Sequence, residues 1–318
     1  MKFDIGLRPE LQGGSGCGRH HAAIYLEMDN RPTKVTRRSF LRKALRGFLC
    51  TGLPLGSVLG YMRWEGGRVV VRNLDVPVAG FSGSIRLLHL TDLHYLAMAG
   101  VSLDYISHVV AMSVETKPDV ILLTGDYIFD RCNNPDEYAA ALAPLAKAAP
   151  AFASFGNHDG GQWSATLGGG YADLKVMRGG LGKAGIRPLV NESATVCDGK
   201  LDLVGLGDLW AGNFRPSQGF AKLGAKSVPR VVLSHNPDTL RQLMPYEWNL
   251  MLAGHTHGGQ VKLPLIGSPW APVFNKRYVS GLHRVGDRWL HVSRGIGGLF
   301  RMRCNCPPEI AVLQLVGK

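Results

Sequence analysis

"DVILLTGD", residues 119–126, decides the fold class. Four apolar residues in a row, Val120 to Leu123, are bounded by an acid and a Thr-Gly pair. The run is too short for a helix and reads as a buried strand that ends at Asp126. The same grammar recurs in both directions along the chain. "SIRLLHLTD" (84–92) ends at Asp92, and "AFASFGNHD" (151–159) ends at Asn157 and His158. "RVVLSHNPD" (230–238) delivers His235, and "WNLMLAGHTH" (248–257) delivers His255 and His257. Helical patterns lie between the strands. In "SLDYISHVVAMSVE" (102–115), Leu103, Ile106, Val110 and Val114 share a face and Ser102 is an N-cap. "PDEYAAALAPLAKAA" (135–149) is an Ala-rich helix that Pro144 is expected to interrupt. The alternation is α/β.

Such sheets place their sites beyond the carboxyl ends of the strands. One polar ending is a turn; five endings that all present Asp, Asn or His call for ligands. His255 and His257 share a face only if the chain is extended there, because residues two apart on a helix diverge. The candidates are Asp92, His94, Asp126, Asn157, His158, His235, His255 and His257. They offer carboxylate, amide oxygen and imidazole without thiolate, a donor set for Mn, Fe or Zn with open positions. They are too many for one tetrahedral ion and suit two divalent metal ions about 3.5–4 Å apart.

"TDLH", "GD", "GNHD", "SHNPD" and "GHTHGGQ", in this order over residues 85–262, resemble the blocks of the calcineurin-like metallophosphoesterases. The tail "VSRGIGGLFRMRCNCPPEIAVLQL" (292–315) is similar to the YkuE/YaeI-type bacterial branch. The resemblance implies two packed mixed β-sheets flanked by helices, a four-layer sandwich spanning residues 80–318. It implies that Asp92, His94 and His257 bind one metal and that Asn157, His235 and His255 bind the other, with Asp126 bridging. His158 would contact the phosphate, as would Asn157, and protonate the leaving oxygen, with Asp159 orienting the ring and raising its proton affinity. Arg303, beside Arg301, is a candidate for a substrate's second phosphate. His89 is expected to be a packed core residue, and His20, His21, His108, His283 and His291 to stand outside the site.

Protein phosphatases of this superfamily read G-D-x-x-D-R-G and G-N-H-E, whereas this chain has "GDYIFDRC" (125–132) and "GNHD" (156–159). A phosphodiester or pyrophosphate substrate, possibly lipid-linked, fits better. The alternatives are a UDP-2,3-diacylglucosamine pyrophosphatase of lipid A synthesis and a non-catalytic metal-binding scaffold protein. "LGGGYADLKVMRGGLGKAGI" (167–186) is expected to hold a helix beside the site, with its glycines shaping the substrate entrance.

The net charge of +12 would suggest a polyanion, but residues 1–46 carry half of it, with ten Lys/Arg against four Asp/Glu. No nucleic acid partner is expected. In residues 31–64, "TRRSFLRK" resembles a twin-arginine signal ahead of an apolar run shorter than a membrane span. It implies the Tat export machinery or a membrane surface as partner, and an exported, periplasmic-face location; the cytoplasmic face of the inner membrane is the alternative. Residues 1–30 are expected to be a poorly structured extension, since such a signal would begin near Met28. The six cysteines form no CxxC pair, which argues against a structural zinc knuckle.

Overall fold

The computed structural model describes residues 55–96, 101–225 and 228–318. The extension and nearly all of the twin-arginine-like stretch lie outside the described residues. Among those described, no helix is long and apolar enough to cross a membrane.

Two six-stranded mixed sheets carry the fold. The first runs in spatial order β1 (Val70–Val78), β12 (Glu309–Gly317), β2 (Ser84–Leu90), β3 (Val120–Thr124), β4 (Ala151–Ser154), β5 (Arg187–Pro188). The second runs β10 (Gly281–Val285), β11 (Arg288–Val292), β9 (Leu250–Ala253), β8 (Arg230–Leu233), β7 (Leu201–Gly205), β6 (Glu192–Val196). The ligand-bearing strands β2, β3 and β4 are parallel neighbours in one sheet, as are β7, β8 and β9 in the other. Antiparallel pairs lie outside these parallel cores, β12 against β2, β6 against β7, and β10 against β11.

Each apolar run is buried on both faces because it serves two cores. Leu87, Leu122 and Phe152 meet Leu203, Leu233 and Leu252 between the sheets. On the outer face of the first sheet, Leu88, Ile121 and Leu123 pack against α2 (Leu103–Val114), α3 (Pro135–Ala148) and α5 (Lys175–Lys183). On the outer face of the second, Val232 and Met251 pack against Leu240, Leu243 and Trp248. This is the helix–sheet–sheet–helix sandwich that the motifs implied.

Ser102 caps α2 through the amide of Tyr105 at 3.2 Å, as its sequence indicated. Pro144 does not interrupt α3, which runs through it. Pro144 and Ala140 both lie on the solvent face, so water can take the carbonyl that proline leaves without a donor. Burial of Tyr138, Leu142 and Leu145 on the opposite face holds the helix together. A first helix, α1 (residues 55–67), joins the body at its C-terminal end: Met62 accepts from the Arg303 amide at 3.0 Å, and the Arg63 guanidinium donates to the Phe300 carbonyl. Cys132, Cys197, Cys304 and Cys306 are free thiols.

Candidate functional site

The ends of β2, β3, β4, β8 and β9 converge on one point at the sheet edges. Five of the side chains they deliver sit on left-handed backbone, with φ of 53° at Asp92, 46° at His94, 55° at Asp126, 68° at His255 and 51° at His257. Each such residue costs about 1–2 kcal/mol, so the surroundings must over-determine the conformation. They do. Asp92 and His94 donate their amides to the Gly125 and Asp126 carbonyls, each at 2.9 Å, which locks the β2 loop to the β3 loop. The Asp159 carboxylate accepts from the amides of Asp126 (2.8 Å), Tyr127 (2.7 Å) and Gly156 (2.8 Å). Glycine is required where backbone meets a ligand side chain. A Cβ on Gly156 would lie 2.1 Å from Asp126 Oδ1, and one on Gly254 would lie 2.2 Å from Asp92 Oδ2.

The candidate ligands form two triads whose donor atoms lie within 4.8 Å of one another, Asp92–His94–His257 and Asp126–His235–His255, and His94, Asp126 and His158 make a third such group. Asp126 Oδ2 stands 3.1 Å from His235 Nε2 and 3.4 Å from His94 Nε2, so one oxygen reaches both groups. His94 and His257 point their Nε2 atoms at each other across 3.1 Å, and Asp92 Oδ1 is 3.6 Å from His257 Nε2. Asn157 Oδ1 and His255 Nε2 are buried without a hydrogen-bond partner. Leaving such atoms unpaired costs about 1–3 kcal/mol each. Converging nitrogen and oxygen donors with open valences fit divalent metal ions.

The electrostatics agree. Burial would raise Asp126, but the imidazoles of His235, His158 and His94 override it and hold the carboxyl well below its ordinary range. Burial pushes His255 and His257 down to about 3, keeping both rings as neutral donors. Burial would also lower His235, yet Asp126 beside it raises the ring well above the usual value.

His158 lies at the mouth, its ring centroid 4.7 Å from His94 and 4.3 Å from Trp163. Its Nδ1 is held by the Phe129 carbonyl, and its amide donates to Asp126 Oδ1 at 2.9 Å. Two expectations are corrected here. Asp159 does not orient the ring, because its carboxylate turns the other way to collect the three loop amides. Nor is the ring's proton affinity raised: burial lowers it, and the opposing pull of Asp126 is outweighed.

Arg303 is also corrected. It is fully buried, and its guanidinium donates to the carbonyls of His257, Arg294, Gly295, Gly297 and Cys306. It ties the tail loop beneath His257, and its one donor without a partner, Nε, is fully buried rather than turned to a phosphate. Arg301 stacks on Tyr105, 4.0 Å from the ring centroid.

Of the remaining histidines, His89 is buried as expected, bonded to Thr124 Oγ1 at 2.8 Å. His291 joins it across the sheets at 3.1 Å and lies 3.4 Å from buried Glu309. The helix in 167–186 is α5, packed on α3 through Met177 and Leu181. The glycine loop before it reaches the site from behind: a Cβ on Gly170 would lie 3.3 Å from the His158 carbonyl.

Three residues escaped the sequence reading. Buried Asp208 accepts from the Trp210 and Ala211 amides at 2.7 and 2.9 Å. It thereby sets Trp210 edge-on to His255, with centroids 4.4 Å apart. Trp163 and Trp210, 6.3 Å apart, wall the mouth. "LDLVGLGD" (201–208) carried the same strand-then-acid signal as the runs that end at Asp92 and Asp126 and could have revealed Asp208.

The Calcineurin-like phosphoesterase family matches residues 85–259. Phosphodiesterase YaeI of Escherichia coli (strain K12) is 38% identical, covering 89% of this chain and 100% of that protein. Metallophosphoesterase YkuE of Bacillus subtilis (strain 168) is 31% identical, covering 89% and 98%. UDP-2,3-diacylglucosamine pyrophosphatase LpxG of Chlamydia trachomatis is 26% identical, covering 76% and 86%. The chain belongs to the calcineurin-like phosphoesterase family, within the YaeI/YkuE branch, and is a hydrolase of phosphoester bonds.

Proposed function

We propose that this hydrolase cleaves a phosphodiester or pyrophosphate with two divalent ions of Mn, Fe or Zn. Asp92, His94 and His257 would hold one ion, and Asn157, His235 and His255 the other. The carrying observation is Asp126 Oδ2, one oxygen within 3.4 Å of ligands from both triads. Such a pair, when bound, supplies a water nucleophile at neutral pH and offsets charge on the phosphoryl oxygens.

The chain's own residues do the rest. With Nδ1 tethered to the Phe129 carbonyl, His158 presents Nε2 to the leaving oxygen and donates its proton there. An anionic phosphate brought against the ring raises its proton affinity, offsetting the effect of burial. Trp163 and Trp210 give an organic substituent an apolar wall. Arg131 is exposed and Arg303 is committed to carbonyls, so the fixed guanidiniums that would suit a monoester dianion are directed elsewhere. A diester carries less charge, and the likeness to a phosphodiesterase supports the same choice.

The likeness to LpxG favours a second reading, a lipid-linked pyrophosphate such as UDP-2,3-diacylglucosamine. The two differ in location. The twin-arginine-like stretch supports an exported domain at the periplasmic face of a membrane, whereas a UDP-sugar requires the cytoplasmic face. The full chain, stripped of metal and reloaded with Mn²⁺, would be given bis(p-nitrophenyl) phosphate, p-nitrophenyl phosphate and UDP-2,3-diacylglucosamine in parallel. Diester turnover well above monoester turnover is expected. Faster cleavage of the lipid nucleotide would move the protein to the second reading, and failure on all three with metal bound would sink both.

A further inference from the structure

One surface outside the catalytic centre combines exposed apolar side chains with cationic ones. Just past His257 the chain forms a tight hairpin closed by Leu263 and Gly267, whose amides and carbonyls exchange bonds at 2.8 and 2.9 Å. At its tip Leu265 is 108% exposed and sits on left-handed backbone, φ 63°. A leucine in that conformation is strained, and the chain gains no burial in return. Ile266 and Trp270 (each 69% exposed) and Phe274 (89%) extend the same projection. Four large apolar side chains exposed between Leu265 and Phe274, rather than one scattered residue, are the kind of feature that marks a contact.

The chain segment that carries them is cationic, with Asp238, which accepts from the Phe274 amide at 3.1 Å, as an acidic neighbour. Residues 260–286 hold four Lys/Arg, and no Asp or Glu occurs from 248 to 286. Lys262, Lys276 and Arg277 line a cleft of about 300 Å³ directly behind Ile266. A convex apolar tip with a cationic collar suits a bilayer: the tip enters the headgroup–acyl boundary, Trp270 sits at the interface, and the cleft receives a lipid phosphate. A protein partner would need a concave apolar receptor and acidic complement of its own.

Two further connections support this. The knob is anchored to the site, since Ser268 Oγ donates to the Gly258 carbonyl at 3.0 Å, one residue from His257. It is also joined to α1. Asn305 donates to the Lys262 carbonyl (3.1 Å) and accepts from Tyr61 Oη (3.4 Å), while Leu55, Val58, Leu59 and Trp64 on α1 are exposed. Residues 31–63, which lead into and through most of that helix, contain no acidic residue. We propose that the Leu265–Phe274 knob and its Lys262/Lys276/Arg277 cleft dock the protein on an anionic membrane and bring the metal-site mouth to lipid headgroups.

The test uses the full chain without substrate, so its failure is separable from failure of the hydrolase reading. Sedimentation is measured with vesicles of phosphatidylcholine alone and of phosphatidylcholine with phosphatidylglycerol. Leu265→Ser combined with Phe274→Ser should weaken partition onto the anionic vesicles about tenfold or more, with soluble-diester turnover unchanged. Lys276→Glu combined with Arg277→Glu should erase the preference for phosphatidylglycerol. Because the N-terminal residues can bind lipid themselves, brominated phosphatidylcholine supplies a local readout: a share of the tryptophan quenching should vanish in Trp270→Phe. Unchanged partition, or identical quenching in Trp270→Phe, overturns the proposal. So does a wild-type oligomer that Leu265→Ser dissociates in light scattering, which would make the knob a contact between copies.

Discussion

The two sheets make unequal contributions to one site. The first, through β2, β3 and β4, supplies every oxygen ligand, Asp92, Asp126 and Asn157, together with His94 and His158. The second, through β8 and β9, supplies only imidazoles, His235, His255 and His257. Both triads therefore draw on both sheets. The carboxylates would bring the negative charge that offsets metal charge, and His255 and His257, kept neutral by burial, would add no repulsion. Alignment of the sheets is thus a functional quantity, and each of four substitutions tests a different part of it.

The largest effect belongs to Asp126, whose Oδ2 reaches ligands of both triads. Asp126→Asn keeps the shape and removes the shared charge. Diester turnover should fall on the order of 10³-fold, and Mn²⁺ titration should show weakened binding at both positions. A loss confined to one position would mean that the triads are independent. Asp159→Ala comes next, since it strands three loop amides of the first sheet, those of Asp126, Tyr127 and Gly156. Each unpaired buried donor costs about 1–3 kcal/mol, which together is about 5 kcal/mol of unfolding free energy in urea melts. A cost below that of a single amide would show that the carboxylate does not hold the loops.

Glu309 tests the seam with a residue outside the ligand set. It lies on β12 of the first sheet, fully buried, and faces His291 of β11 at 3.4 Å, with Arg294 and Arg72 at 3.4 and 3.7 Å. Burial alone would raise its carboxyl, but His291 and the two arginines hold it below the ordinary 4.5. A depressed acid stabilises the fold above its unfolded value, and that stability is lost as pH falls through the folded one. The wild type should therefore weaken below about pH 4.5 more steeply than Glu309→Gln. At neutral pH the variant should be about 3 kcal/mol less stable, with metal-loaded kcat preserved.

What could be read in advance followed from local rules. Runs such as "VILLT" are apolar at every position because each face has a core, and their polar ends are ligands because strand ends meet at one edge. The errors arose where direction mattered more than identity. Asp159 follows His158 in sequence, yet its carboxylate points back at the β3 loop. Arg303 lies in "LFRMRCNC", which reads as surface charge until five carbonyls of the tail and the His257 turn are seen to close round it. Left-handed backbone at five ligands has only a weak sequence mark, because Asp and His are enriched at positive φ yet adopt it in a small minority of cases. The tryptophan wall was hidden for a related reason: Trp163 and Trp210 are 47 positions apart in the sequence and meet only through the loop that Asp208 pins.

Gly254 gives the smallest effect and the sharpest statement about the seam. It ends β9 of the second sheet, yet an added Cβ would strike Thr91 Oγ1 at 2.1 Å and Asp92 Oδ2 at 2.2 Å, both from the first. Its own φ is not in the left-handed region, so Gly254→Ala introduces a contact between sheets with little backbone strain. Asp92 has no room to retreat, because Gly295 backs its Cβ so closely that a Cβ there would lie 2.6 Å away. The added methyl must then push the strand end of one sheet off the carboxylate of the other. Asp92 also accepts from the His255 amide at 3.1 Å, so a ligand of each triad shifts together. Calorimetry with Mn²⁺ should show affinity reduced about 10–100-fold while the folded state persists. Unchanged affinity would mean that the sheets slide without disturbing the metals, and that the unequal division of ligands places no demand on their alignment.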